Sequence, residues 1–395
     1  MVAVRVEGFR AGGMWAGIKK RGKKDLALIL SDRECTACGV FTQNTVKAAP
    51  VEFDLKRITR GVSRGIVINS GCANACTGKE GLEDTKLIVR AAERAAGVPA
   101  GSLLVASTGV IGERLPANRI VDALPRLVSK LSAHGWLDCA EAIMTTDTHP
   151  KLLHTSIELS EGKVNMVGVA KGAGMIEPSM ATMLAFVLTD ADIGRAPLER
   201  ALRKAVDGSF NAITVDGEMS TNDTVIALAN GASGVRIRKN TDDYRLFSEL
   251  LSEVATELAT MIVRDGEGAT KFVEIELKGA KTLEEARRGA KKVANSLLVK
   301  TALFGEDPNW GRIMATLGAA GIRFDPEKVA IDVCGIRIVE GGLATGKDKE
   351  RQAKRRLKRK EIDISIDLNA GSSSTKVWTT DLSYDYVKIN ASYRS

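Results

Sequence analysis

The sequence predicts a mixed α/β (α+β) fold in which layered sheets are covered by helices. Three observations carry this expectation. Short apolar runs closed by Gly, Ser or Asn recur along all 395 residues, as buried strands do. Two segments alternate apolar and polar residues, the mark of strands with one wet face. Three more segments repeat apolar residues at helical spacing, and these helices are interleaved with the strands rather than segregated from them.

In chain order, residues 65–69 (GIVIN), 103–106 (LLVA) and 166–170 (MVGVA) are the buried-strand type, and each feeds a loop. Residues 84–96, 196–207 and 244–262 are the helices. The last of these places Leu246, Leu250, Val254, Leu258 and Ile262 four apart, along one face. Residues 183–188 (MLAFVL) form a further buried strand, while 272–277 (FVEIEL) and 361–368 (EIDISIDL) alternate as half-buried ones. No repeat of fixed period is visible and the chain holds nine prolines, so no solenoid or proline-rich linker divides it.

Composition narrows the function classes. Hydrophobic residues at 44% and charged residues at 27% are those of an ordinary globular protein, which excludes disorder as the main story. Seventeen aromatics, 4% of the chain, are few for a protein that stacks bases or sugars. The net charge of +8 is local: residues 347–360 (KDKERQAKRRLKRK) hold nine basic and two acidic side chains, and the rest is nearly neutral. Without aromatic or glycine interleaving, that run reads as a solvated basic helix or loop and not as a nucleic-acid surface. No start of signal-peptide type and no membrane-length apolar window is present, so the expectation is a cytoplasmic protein with no membrane partner.

Metal and cofactor motifs fail one by one. Cys35-x-x-Cys38 and Cys72-x-x-x-Cys76 have thiolate spacing, but the second pair sits in a small-residue loop, NSGCANACTG, and plain packing of free thiols is the better reading. His149 and His154 lack the HExxH pattern. Neither KGAG (171–174) nor TGVIG (108–112) completes a phosphate cradle, and residues 216–223 (DGEMSTND) lack the oxygen ladder of a calcium loop. The expectation is an enzyme with no metal and no cofactor.

One run stands out, residues 171–186 (KGAGMIEPSMATMLAF). Glycines and a proline set up an irregular approach, and Thr182 then opens the apolar strand, so a hydroxyl sits where loop meets core. A threonine hydroxyl is a weak nucleophile until a base removes its proton. Making it the first residue of a chain supplies that base, because its own α-amine titrates near ~7.7–8.0. Spacing alone leaves open that Thr182 only caps a strand.

That run resembles the ornithine acetyltransferase family, also called glutamate N-acetyltransferase. STGVIGE (107–113), NSGCANACTG, MTTDTHPK (144–151), TVDGEMSTNDT (214–224), DPNWGRI (307–313) and the terminal INASYRS extend the likeness in order over nearly the whole chain. The resemblance implies the helix–sheet–sheet–helix (αββα) sandwich of N-terminal nucleophile hydrolases. It further implies a precursor that cuts itself between Ala181 and Thr182 into chains 1–181 and 182–395, intertwined as one catalytic unit and assembled as a heterotetramer or larger. Thr182 would then carry an acetyl group from N2-acetyl-L-ornithine to L-glutamate in arginine biosynthesis.

The same likeness distributes roles. Thr108 and Gly109 match the family's oxyanion pair, and a hydroxyl and an N–H at a turn suit that role. Lys171 and Glu267 match positions that meet a substrate carboxylate and ammonium, and an amino acid with a charged side chain needs partners of both signs. Thr145, Thr146, Asn390 and Ser395 match further substrate-binding positions. Cys72, Glu177 and Ser395 depart from the family's usual Asn, His and Thr, and Glu177 lies close to the cut. Use of acetyl-coenzyme A as a second donor is left open, and the runner-up is a self-cleaving aminopeptidase or amidohydrolase, since water also resolves an acyl-threonine.

Overall fold

The computed structural model describes residues 5–20, 22–177 and 183–392. Its strands are β1 (Phe9–Met14), β2 (Leu26–Phe41), β3 (Val62–Cys72), β4 (Leu103–Val110), β5 (Lys151–Leu159), β6 (Gly162–Lys171), β7 (Leu184–Thr189), β8 (Asp192–Ile193), β9 (Thr224–Ala229), β10 (Arg236–Ile237), β11 (Phe272–Ala280), β12 (Ala330–Val333), β13 (Ile336–Glu340), β14 (Leu343–Ala344), β15 (Glu361–Asp367) and β16 (Ser373–Thr380).

The long strand β2 organises the larger sheet. Its first part pairs with β1 on one side and β3 on the other, and its last part, from Thr36 to Phe41, pairs with β9. Between them Asp32, Arg33 and Glu34 are exposed and the β2–β3 register shifts. Two wings result, β4-β3-β2-β1 and β2-β9-β7-β6-β5. Their inner faces share one core: Ile29, Ile66, Ile68 and Leu104 of the first wing cluster with Val167, Val169, Phe186 and Leu228 of the second, around Trp136 of the helix Trp136–Ile143.

The outer faces are covered separately, because successive strand residues point to opposite sides. Leu26, Leu28, Val67 and Val105 pack under the helices Gly78–Ala96 and Ala117–Ser129. Met166, Ala185, Val187 and Val225 pack under Arg195–Gly208 and Asp242–Arg264. The order is helix, sheet, sheet, helix, as the resemblance implied. Each helix and strand anticipated from periodicity is present, usually with a few more residues at its ends.

A second sheet, ordered β14-β13-β12-β15-β11-β16, follows the alternation read in residues 272–277 and 361–368. Val273, Ile275 and Leu277 are buried against the helix Leu283–Ala294, whereas Glu274 and Glu276 stay half-exposed. Trp378 of β16 joins the core of the larger sheet, which ties the two sheets, and its indole N–H donates to Glu274 on the neighbouring β11 at 2.9 Å. The first ten residues of the basic run form the helix Lys347–Arg356, solvated except at Ala353, as expected, and Leu357 just beyond it is buried. All six cysteines are free thiols; Cys35 and Cys38 enter different cores from opposite faces of β2, so that spacing is not a ligand pair. Among the described residues no helix is long and apolar enough to cross a membrane.

Helix Trp136–Ile143 comes close to β1 at Gly13: a Cβ there would stand 2.0 Å from the backbone oxygen of Asp138. Because that neighbour is main chain, Gly13→Ala must separate helix from strand, and we expect a loss of about 1–3 kcal/mol. Urea unfolding should show a lower midpoint with an unchanged slope.

Candidate active site

The candidate site lies where strand ends from both wings meet. The C-terminal ends of β4 and β6 deliver Thr108, Gly109 and Lys171 to one cavity of about 220 Å³, which Thr145, Thr146, Glu267 and Asn390 also line. Seven of the residues singled out from sequence are thus brought together. Ala181, Thr182 and Ser395 lie outside the described residues. The residue that follows Thr182 is fixed: the Met183 N–H donates to Asp223 at 3.1 Å, and β7 begins at the next residue.

Gly109 needs its lack of a side chain. Its φ is +134°, and a Cβ would stand 2.3 Å from the main-chain carbon of Gly71 on β3. The β3–β4 ladder pairs Gly71 with Gly109 and shifts register immediately afterwards, at Cys72. Buried amides pin this turn. Asn222 donates to the carbonyls of Ser107 (2.8 Å) and Ala73 (2.7 Å), the Ser107 hydroxyl donates to Asn69 (2.6 Å), and Asn69 donates to the carbonyl of Cys72 (2.9 Å). The carbonyls of Cys72, Ala73 and Ser107 thereby find partners.

Lys171 and Thr108 are both buried, with 2% and 4% of their surface exposed, and Lys171 Nζ donates to Thr108 Oγ1 at 3.2 Å. An ammonium has only donors, so the threonine oxygen accepts and its own hydrogen is left to point elsewhere. Burial pushes the Lys171 pKa down, and the nearby Asp147 carboxylate opposes that. Asp147 accepts from Lys151 Nζ (2.7 Å) and from the Gly172 (2.7 Å) and Thr145 (2.9 Å) N–H groups, and Lys151 also donates to Asp265 at 2.6 Å. Burial alone would raise the Asp147 pKa, but Lys171, Lys151 and those hydrogen bonds hold it well below the usual carboxylate range.

The opposite wall is acidic. Glu267 accepts from Asn390 Nδ2 at 2.8 Å, and Gly174 makes room for its carboxyl, since a Cβ there would stand 2.3 Å from Glu267 Cδ. Asp216 and Glu218 line the same wall, and the Tyr386 hydroxyl donates to Asp216 at 3.3 Å. Burial raises the Asp216 pKa, as does Glu267 nearby, while three main-chain N–H groups oppose them. Tyr386 and Asn390 are four apart on the helix Tyr384–Ser392 and so share a face. A buried cation at one end and carboxylates at the other suit a small zwitterion whose side chain carries a positive charge.

Asp216, Ser220, Asn222 and Tyr386 have no role assigned from sequence, although the first three fall in the TVDGEMSTNDT segment that carries part of the family likeness. For Tyr386 the signal is its spacing of four from Asn390.

Residues 10–395 match the sequence profile of the ArgJ family. The chain is 49% identical over 393 residues to the arginine biosynthesis bifunctional protein ArgJ of Geobacter sulfurreducens, covering 99% of this chain and all of that one. It is 45% identical over 397 residues to the glutamate N-acetyltransferase of Methanopyrus kandleri, covering 98% and 99%. A crystal structure of the arginine biosynthesis bifunctional protein ArgJ from Bacillus halodurans is 39% identical with a TM-score of 0.50, over 52% of this chain and 96% of that chain.

Because the Asp147 pKa is lower folded than unfolded (~3.9), its contribution to stability is complete above that value and is lost as the pH falls toward the folded one. Asp147→Asn should therefore be clearly less stable than wild type at pH 7, with the gap closing below pH ~4. Thermal unfolding at the two pH values measures this, and a gap that widens in acid would contradict it.

Proposed function

The chain belongs to the ArgJ family, and from that premise we propose that it transfers the acetyl group of N2-acetyl-L-ornithine to L-glutamate through an acetyl-Thr182 intermediate, after cutting itself between Ala181 and Thr182. The observation that carries the reading is the single cavity that gathers Thr108, Gly109 and Lys171 opposite Glu267.

In the self-cleavage, the Thr182 hydroxyl oxygen attacks the Ala181 carbonyl carbon, the C–N bond breaks, and the departing nitrogen takes a proton to become the α-amine. Water then hydrolyses the ester, leaving the Ala181 carboxylate and a free hydroxyl. In transfer, that amine accepts the hydroxyl proton while the oxygen attacks the acetyl carbonyl; ornithine leaves as the protonated amine. Glutamate's neutral amine attacks the acetyl-threonine and restores the hydroxyl.

The charge that develops on the carbonyl oxygen is met by the Thr108 hydroxyl and the Gly109 N–H. The Lys171 bond favours this, because it leaves the Thr108 hydrogen free to donate. Lys171, with Thr145 and Thr146, faces the substrate's carboxylate side, and Glu267 with Asn390 its ammonium side.

The two chains, 1–181 and 182–395, remain one unit. This is supported by the ladder: β2 and β6 of the first chain pair with β9 and β7 of the second. Pairing of two such units into a heterotetramer, acting in the cytoplasm, completes the proposal; the mass of the assembly in solution tests it.

Denaturing electrophoresis should show two bands for the wild type and one for Thr182→Ala. Thr108→Ala should lower kcat by ~10²–10³ with little change in KM. Donor and acceptor use the site in turn, so reciprocal plots should be parallel. For the donor, kcat/KM should rise with pH through a pKa near ~7–8 as the amine loses its proton. Free acetate released equally with and without glutamate would indicate a hydrolase instead.

A further inference from the structure

One loop holds both flanks of the cut. Upstream, Asp216 Oδ2 accepts the Met175 N–H at 2.7 Å and Oδ1 the Ile176 N–H at 2.9 Å; the Val215 N–H donates to the Ile176 carbonyl at 2.9 Å. Glu177 accepts from Asn295 Nδ2 at 2.6 Å. Met175 is held at φ +57°, a left-handed conformation unfavourable for a residue with a side chain, so these bonds maintain a geometry the chain would otherwise leave. Downstream, Asp223 Oδ1 accepts the Met183 N–H at 3.1 Å and the Thr224 N–H donates to the Met183 carbonyl at 3.1 Å. Asp216 and Asp223 belong to the same stretch, residues 214–224, and Asp223 is completely buried.

We propose that residues 214–224 are a brace for self-cleavage, and that Asp223 is its positioning residue on the downstream side. The Met183 N–H belongs to the peptide bond that joins it to residue 182, so an Asp223 side-chain oxygen fixed on that N–H limits the directions of approach open to the nucleophile. After the cut the same bonds keep the new N-terminus tethered to the body, independently of the broken link. The two aspartates act on different sides of the cut. Asp216 faces the cavity and holds the leading side, while Asp223 lies outside the cavity lining and holds the nucleophile's side. Burial pushes the Asp223 pKa well up, and the Met183 N–H and the Lys171 ammonium oppose it. The inference rests on the reading that the chain cuts itself.

The test uses the full chain as wild type, Asp223→Ala and Asp223→Asn, following the appearance of the two product chains with time by intact mass, with a thermal melt to check folding. Asp223→Ala should slow the cut ~10-fold or more, the effect of losing one well-placed hydrogen bond. Asp223→Asn should stay within ~3-fold of wild type, because its side-chain oxygen still accepts from Met183. Once fully cut, the alanine variant should show a lower kcat at an unchanged KM. Asp223→Leu, close in size but without an acceptor, repeats the comparison if the alanine chain does not fold. Equal cutting rates for wild type and Asp223→Ala would overturn the brace alone, as would an Asp223→Asn chain that melts like wild type yet cuts as slowly as the alanine variant. A wild-type chain that never cuts would overturn the reading beneath it as well.

Discussion

The site depends on a buried lysine that donates to a buried threonine. Lys171 ends β6 and Thr108 lies two residues before the end of β4, strands of different wings, and their contact at 3.2 Å can form only if the two wings close on each other. An ammonium with 2% exposure loses most of its hydration, a cost of several kcal/mol unless opposite charge is at hand. Asp147 supplies that charge, and Lys151 and Asp265 extend it into an alternating buried chain. The same arrangement orients the Thr108 hydroxyl, so what keeps a charge in the interior also prepares the group that would meet a developing oxyanion.

The remaining architecture serves this meeting point. The exposed break at residues 32–34 lets β2 leave one wing and enter the other, and the shared inner core brings the strand ends to a common edge. The β3–β4 register shifts just past the Gly71–Gly109 pair, and Asn222 holds the turn from across the fold.

Much of this is legible in the residues. Helix Asp242–Arg264 shows itself by leucines and other apolar residues four apart, and β11 and β15 by strict alternation, because both are amphipathic and their polar faces meet water. Strand β2 is not legible: Asp32, Arg33 and Glu34 interrupt its apolar runs with a charged triplet that looks like a loop. In the site, Thr108, Gly109, Lys171 and Glu267 are legible through family motifs and not through spacing. Local patterns carry no trace of a contact such as Lys171 with Thr108, which spans 63 residues, or Tyr386 with Asp216, which spans 170. For the same reason the sequence presents Lys171 as a partner for substrate alone, while its hydrogen bond to Thr108 emerges only from the closed fold.

The central claim is that this charged interior serves a threonine that carries the acetyl group itself. The most direct measurement is the mass of the 182–395 chain after the cut enzyme has met N2-acetylornithine with no glutamate present, followed by fragmentation to locate any added mass. The account predicts one acetyl group on the peptide that begins at Thr182, removed when glutamate is added. A chain of unaltered mass under conditions in which transfer to glutamate proceeds would contradict it.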